Sequence, residues 1–320
     1  MFSASARHLT ISRRRTRAWR ATLVALLALS WGCSERRASA GAARGAGVEA
    51  TDDAGHLLHL AAPAARVISL VPSATETIIA LGARDRIVGR TRYDVAPEVA
   101  SVPSVGGGID PSIEEIVALH PDLVVAWDND KREAIRAKLG TLGIAVFSMR
   151  TQDTSDVFHG IANLGHLLGR DSTARAVTAS IHATLDSVRR SVAGRDTPSV
   201  FFVVYHDPPM TTGPHTFIDE LIGLAGGRSI FSDATQLWPT VSMEEIVHRN
   251  PDVVIVPRGE VADSAIALFR SRPGWRDLGA IRAGRVSTVS ADLVNRPGPN
   301  IGDAARALAI AIHPELGRAP

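Results

Sequence analysis

Two copies of one short motif stand 130 positions apart: Ser112-Ile-Glu-Glu-Ile-Val117 followed by Pro121-Asp122-Leu-Val-Val125, and Ser242-Met-Glu-Glu-Ile-Val247 followed by Pro251-Asp252-Val-Val-Ile255. A serine ahead of an apolar-periodic run is a natural helix N-cap, and a glutamate three residues later completes a capping box by reaching back to the cap amide. Glu115 and Glu245 are assigned to that structural task. Glu114 and Glu244 sit in the first helical turn, where the helix dipole favours an anion but no cap needs one. Each copy of the motif therefore leaves one carboxylate with no structural task.

The aromatic residues form a second group. Trp127 follows an apolar run and precedes Asp128-Asn129-Asp130, Trp238 lies beside Pro239 in a loop before the second repeated motif, and Tyr93 follows a short strand. Aromatics on loops offer flat apolar area with a polar tip, which suits the edge or face of a macrocycle. Catalytic and metal-binding patterns are missing. The 11 histidines are scattered, there is no HExxH and no Cys/His cluster, Gly106-Gly107-Gly108 lacks the spacing of a dinucleotide site, and neither a P-loop nor a GxSxG elbow is present. The expectation is a binding protein with no catalytic residue, no metal site and no resident cofactor.

These groups need a scaffold, and 320 residues with 45% apolar and 21% charged content supply ample core for one or two α/β domains. The formal charge of +2 is concentrated in an arginine-rich beginning. The remainder is mildly acidic and carries no basic stripe for a phosphate backbone, which excludes nucleic acid as the expected partner. Arg13, Arg14, Arg15, Arg17 and Arg20 precede the apolar run Ala21 to Leu29, the pattern of an export signal and too short for the roughly 20 residues of a permanent span. Cys33 follows Gly32 at the end of this signal and is the only cysteine, so no internal disulfide can form. Residues Ser34 to Ala50 are small, polar and Gly/Ala-rich, as in a flexible tether.

Regular alternation starts at Arg66. Strands are predicted at Val67–Val71, Ile87–Gly89, Leu123–Trp127 and Ile144–Phe147, with helices at Thr75–Leu81, Ile113–Leu119 and Lys131–Leu139 between them. Strand and helix alternation implies a parallel sheet. From Thr154 to Val192 only helical spacing is found, in two helices divided near Gly169-Arg170. The second would be roughly 30 Å long at 1.5 Å per residue, enough to run between two domains. After Gly194 the alternation resumes with strands at Ser199–Tyr205, Val253–Val256 and Val286–Val289 and helices at Phe217–Leu224 and Ala262–Arg270. The repeat at a fixed offset supports two similar lobes.

From about Arg66 to the end, these residues resemble the helical-backbone class of periplasmic substrate-binding proteins of ABC importers. The resemblance is carried by Arg66-Val-Ile-Ser-Leu70, the Glu76/Leu81-Gly82 helix, both Glu-Glu motifs, Thr216-Phe-Ile-Asp-Glu-Leu221, Ala225-Gly-Gly227 and Trp238-Pro239. Within the class, which includes siderophore, haem and cobalamin binders, the pattern is most similar to the cobalamin binders.

The resemblance implies an α/β fold of two Rossmann-like lobes with parallel-sheet cores, joined by one long rigid α-helix, with the ligand cleft between the lobes. It divides the chain into an export signal (1–33), a flexible tether (34–64), an N-terminal lobe (65–153), a helical spacer (154–194) and a C-terminal lobe (195–320). It implies a corrinoid ligand, with haem or a ferric siderophore as alternatives within the class and an extracytoplasmic sensor or adhesion module as the alternative outside it. Tyr93, Trp127, Trp238, Asp292 and Arg296 take the ligand-contacting places. Glu114 and Glu244 take the places that salt-bridge arginines of the inner-membrane permease, which works with an ATPase. The protein is expected as a periplasmic monomer. Cys33 resembles the lipidated cysteine of bacterial lipoproteins, although Ser30 and Trp31 depart from that pattern; the alternative is a signal cut near Ala38 or Ala40. Val105-Gly106-Gly107-Gly108 stands where the cobalamin binders carry another aromatic.

Overall fold

The structure, a computed structural model, describes residues 47–129, 132–259 and 262–317. The expected export signal, Cys33 and the first part of the tether lie outside the described residues. Among those residues no helix is long and apolar enough to cross a membrane.

Two four-stranded parallel sheets organise the chain. In the first, β3 (Val67–Ser69), β4 (Ile87–Gly89), β5 (Leu123–Trp127) and β6 (Ala145–Met149) lie in the order β4-β3-β5-β6. In the second, β7 (Ser199–Phe202), β10 (Arg228–Ser229), β11 (Val253–Arg258) and β12 (Val286–Ser290) lie in the order β10-β7-β11-β12. Both sheets follow the same path: the first strand sits second, its successor takes the outer edge, and the third and fourth strands are added on the other side.

The repeated motif explains the symmetry. Ser112 caps α2 (Ile113–Ala118) by accepting from the Glu115 amide at 3.3 Å, and Ser242 caps α7 (Met243–Arg249) by accepting from the Glu245 amide at 3.1 Å. Only this half of the expected capping box forms. The Glu245 carboxylate instead accepts from Arg249 at 2.9 Å, one turn along the helix, where a charge-assisted bond outcompetes the cap amide.

The Pro-Asp half of the motif starts the central strands. Asp122 Oδ2 accepts from the amides of Ala65 and Arg66, both at 2.9 Å, while the Asp122 amide donates to the Arg66 carbonyl at 2.8 Å. In the second lobe Asp252 Oδ2 accepts from the Ser199 amide at 2.8 Å and from its hydroxyl at 2.7 Å, and the Asp252 amide donates to the Ser199 carbonyl at 2.9 Å. Each aspartate thus sets the register of its lobe's first and third strands.

The remaining helices cover the sheets. α1 (Pro72–Ala80) starts with proline, whose missing N–H is harmless at a helix start. α3 (Arg132–Gly140) connects β5 and β6, and α4 (Thr154–Leu167) and α5 (Asp171–Val192) form the helical middle of the chain. α6 (Phe217–Leu224), α8 (Ala262–Ser271), the short α9 (Gly279–Arg282) and α10 (Ala291–Val294), and α11 (Ile301–Ile312) complete the second lobe. α5 has 22 residues and so spans about 33 Å. Its buried stripe, Ala174, Ile181, Leu185 and Val188, packs on α4 and α11.

Strand side chains alternate between faces. Ile68, Val124, Ala126 and Val146 pack on the outer face of the first sheet, and Phe201, Val254, Val256, Phe269 and Trp275 on the outer face of the second. The inner faces, with Val67, Leu123, Val125 and Phe147 on one side and Val200, Phe202, Val253 and Ile255 on the other, belong to one continuous cluster that includes the α5 stripe.

Three features differ from expectation. Residues Val48–Thr51 (β1) and Leu57–Leu60 (β2) form an antiparallel hairpin inside the span assigned to the tether. Its strands of four residues are too short to show a period against an alanine-rich background, yet Val48, Ala50 and Leu58 are buried. Asp52 at its turn is fully buried and accepts from the amides of His56 at 2.8 Å and Ser148 at 3.1 Å and from the Arg136 guanidinium. The strand expected over Ser199–Tyr205 leaves the sheet after Phe202, and Tyr205–His206 (β8) pairs instead with Pro209–Met210 (β9). Helix α11 follows the last predicted strand.

Asp52 makes the hairpin testable. Burial pushes its carboxyl up, but the His56 and Ser148 amides and the Arg136 charge outweigh burial and hold it below the ordinary value of 3.8. A depressed carboxyl stabilises the fold above its ordinary range, and this stabilisation is lost as pH falls through the folded value. Urea unfolding should show Asp52→Ala less stable by about 3–5 kcal/mol at neutral pH, the usual cost of stripping one partner from a buried pair. The loss should shrink as pH falls below 3.8. An Asp52→Ala protein as stable as wild type at neutral pH would contradict this anchoring role.

Candidate functional site

Open α/β sheets bind ligands at the carboxyl ends of their strands. Trp127 closes β5 and is 37% exposed, although its four predecessors in the strand are buried. Trp238 is 39% exposed, in a loop fastened on both sides by backbone bonds: the Gly213 amide donates to the Leu237 carbonyl at 2.8 Å and the Thr211 amide to the Pro239 carbonyl at 3.1 Å. These two indoles, one from each lobe, line the same cavity of about 320 Å³, together with Met149, Arg150 and Gln152.

Tyr93, Asp292 and Arg296 form a second cluster. Asp94 Oδ2 accepts from the Thr91 amide at 2.8 Å and hydroxyl at 2.6 Å, a tight turn that presents the Tyr93 ring outward at 59% exposure. Arg92 lies 5.6 Å from that ring centroid and pairs with Asp110 at 3.1 Å. Arg296 pairs with Asp292 at 3.1 Å one turn away, and crosses to the first lobe to reach Glu76 on α1 at 3.4 Å and the Tyr93 carbonyl at 3.4 Å. The second Glu76 oxygen accepts from Asn300 at 3.1 Å. Burial pushes the Glu76 carboxyl above its ordinary range, and the Arg296 charge and the Arg296 and Asn300 hydrogen bonds only partly offset this. The lobes meet closely here, since a Cβ on Gly298 would come within 3.2 Å of Ser73.

The glycine run that replaces an expected aromatic also has a local cause. A side chain at Gly108 would lie 2.5 Å from the Leu70 carbonyl, so this loop can rest on the end of the β3 segment only without one. Glu114 and Glu244 are both exposed in the first turns of α2 and α7.

The geometry adds residues that the sequence did not single out. Tyr205 and His206 on β8, ring centroids 5.3 Å apart, line a cavity of about 170 Å³ at the carboxyl ends of the second sheet, with Val204 and Asn295. Tyr205 is half exposed; an aromatic closing a predicted strand, as Trp127 does, was the available signal. Arg150 just after β6 is the other, and a charge following a buried strand was its signal. No group of three or more His, Cys, Asp or Glu side chains that could hold a metal is found among the described residues.

The family model described as "Periplasmic binding protein" matches residues 67–293. A cobalamin-binding protein of Halobacterium salinarum is 34% identical over 259 residues, covering 78% of this chain and 69% of that protein. The crystal structure of the periplasmic vitamin B12 binding protein of Vibrio cholerae superposes with a TM-score of 0.68 at 28% identity, covering 80% of this chain and 99% of that one. A periplasmic haem-binding protein in complex with two haems superposes with a TM-score of 0.69 at 27% identity, covering 77% and 98%. With the family match spanning most of the chain and two like lobes around a cleft, this chain belongs to the periplasmic binding protein family.

Proposed function

We propose that the protein captures a corrinoid between its lobes and delivers it to an ABC permease and ATPase. The observation that carries this reading is the pair of indoles, Trp127 and Trp238, brought from opposite lobes to one cavity. Two partly exposed rings lining one cavity offer apolar area to a flat macrocycle at little cost in side-chain entropy. A cavity of about 320 Å³ is at the small end for a ligand site, so the macrocycle presents an edge to it and lies across the open cleft. Tyr93, Asp292 and Arg296 supply polar contacts at the other cluster, with Tyr205 as a further aromatic wall. The cobalamin-binding and vitamin B12-binding proteins among the relatives support this ligand, and the haem-binding structure keeps haem as the alternative. Cys33 is read as a lipid anchor, which would hold the protein outside the inner membrane.

Wild-type protein incubated with cobalamin, haem or a ferric siderophore and then gel-filtered should carry the absorption spectrum of cobalamin, with its tryptophan fluorescence quenched. Retention of haem alone would overturn the corrinoid reading. Trp238→Ala should weaken cobalamin binding by about 2 kcal/mol with little change in melting. Trp275→Ala is the packing control. That indole is 1% exposed and stacks on Phe269 at 4.2 Å, so its loss should cost about 3–5 kcal/mol of stability. A Trp238→Ala protein that is unstable but binds normally when folded would return Trp238 to a packing role.

Glu114 and Glu244 are read as the permease-docking pair because they are an exposed, symmetry-related pair of anions in the two lobes, whereas Asp122 and Asp252 of the same repeat are taken up by the strand starts. Exchanging both for lysine should abolish uptake in cells while leaving the dissociation constant for the ligand unchanged. A loss of affinity parallel to the loss of uptake would rule the docking role out.

A further inference from the structure

We infer that Arg150 makes the cavity between the two indoles a subsite for uncharged carboxamides on the ligand rim, one that disfavours carboxylates. This deepens the corrinoid reading and rests on it. Arg150 lines the cavity beside Trp127, Gln152 and Trp238. Its Nε donates to Asp156 Oδ1 at 2.9 Å, and that carboxylate is 2% exposed. Asp156 is itself fixed, accepting from the Gln152 amide at 2.8 Å and sharing a capping box with Asp153 at the start of α4. The Arg150 amide donates to Asp53 of the N-terminal hairpin at 2.7 Å. Backbone and side chain are therefore both held, and the terminal guanidinium nitrogens take no partner among the described residues.

Charge decides what such a group selects. Asp156 already balances Arg150, so this guanidinium offers its terminal hydrogen-bond donors to the cavity without a net charge of its own. An entering carboxylate would be desolvated near Asp156, and Arg150, already paired with that carboxylate, is not an uncompensated cation to receive it. A carboxamide instead accepts from Arg150 through its oxygen and donates through its nitrogen. Gln152 gives its Nε2 to the His215 carbonyl in a long 3.5 Å contact, which leaves its side-chain oxygen as an acceptor for that nitrogen. The second cluster has the same balance, Arg92 with Asp110 and Arg296 with Glu76 and Asp292. A corrinoid rim carries carboxamides, whereas haem carries carboxylates.

The test titrates wild type, Arg150→Gln and Arg150→Lys with cobalamin and with a corrinoid whose rim amides have been hydrolysed to carboxylates, following tryptophan fluorescence, with a thermal melt of each protein. Arg150→Lys keeps a cation beside Asp156 and guards against a folding defect in Arg150→Gln. Wild type should prefer the amidated corrinoid by at least about tenfold, and each substitution should weaken cobalamin binding by about tenfold and narrow that preference, as expected when a charged donor to a buried acceptor is lost. Variants that bind cobalamin as tightly as wild type, or a wild type that takes both corrinoids equally, would overturn the subsite and leave the corrinoid reading standing. A wild type that binds neither corrinoid but binds haem would overturn both.

Discussion

One apolar seam, from the inner face of the first sheet through the buried stripe of α5 to the inner face of the second, makes the two lobes a single body. Each fully buried Ile, Leu or Val in it contributes roughly 1.5–3 kcal/mol relative to exposure. Ile181, Leu185 and Val188 on α5 join sheets that share no strand. A helix buried along one stripe against both lobes resists bending. That rigidity is what gives the cleft meaning: Trp127 and Trp238 come from sequence positions more than a hundred residues apart, and a fixed separation keeps both on one cavity.

The electrostatics of the cleft follow from the same economy of parts. The guanidinium groups of Arg92, Arg150 and Arg296 each have a carboxylate partner before any ligand arrives. The arrangement fixes their geometry and removes their net charge, so they can contribute directed donors without attracting anions indiscriminately. Arg296 also ties the lobes together at the cleft edge, where its partner Glu76 is buried enough for its carboxyl to be pushed upward. The repeated Pro-Asp motif makes the comparable contribution on the scaffold, one carboxylate per lobe setting strand register.

Much of this was legible in the residues, for physical reasons that differ by element. β4, β5 and α6 fall where the pattern placed them, because β-branched runs bounded by turn residues and a threonine-capped apolar period are local signals. The repeat revealed the two-lobe architecture more directly than any propensity. The β1–β2 hairpin was not legible, since its stability comes from Asp52 reaching Arg136 and Ser148, contacts 84 and 96 residues away. The Glu245 side chain was misassigned because a helix neighbour, Arg249, competed for it. At the site, the aromatic closing β5 could be picked out, whereas Arg150, marked only as a charge following a buried strand, gained meaning once folding set it in the same cavity lining as the two indoles.

The central claim is that one corrinoid is held between the lobes against both indoles, and calorimetric titration of the protein with cobalamin tests it most directly. The account predicts one ligand per protein, with binding heat that becomes more exothermic as temperature rises, the negative heat-capacity change of apolar surface leaving water. Absence of binding heat at every temperature, or a stoichiometry other than one, would contradict it.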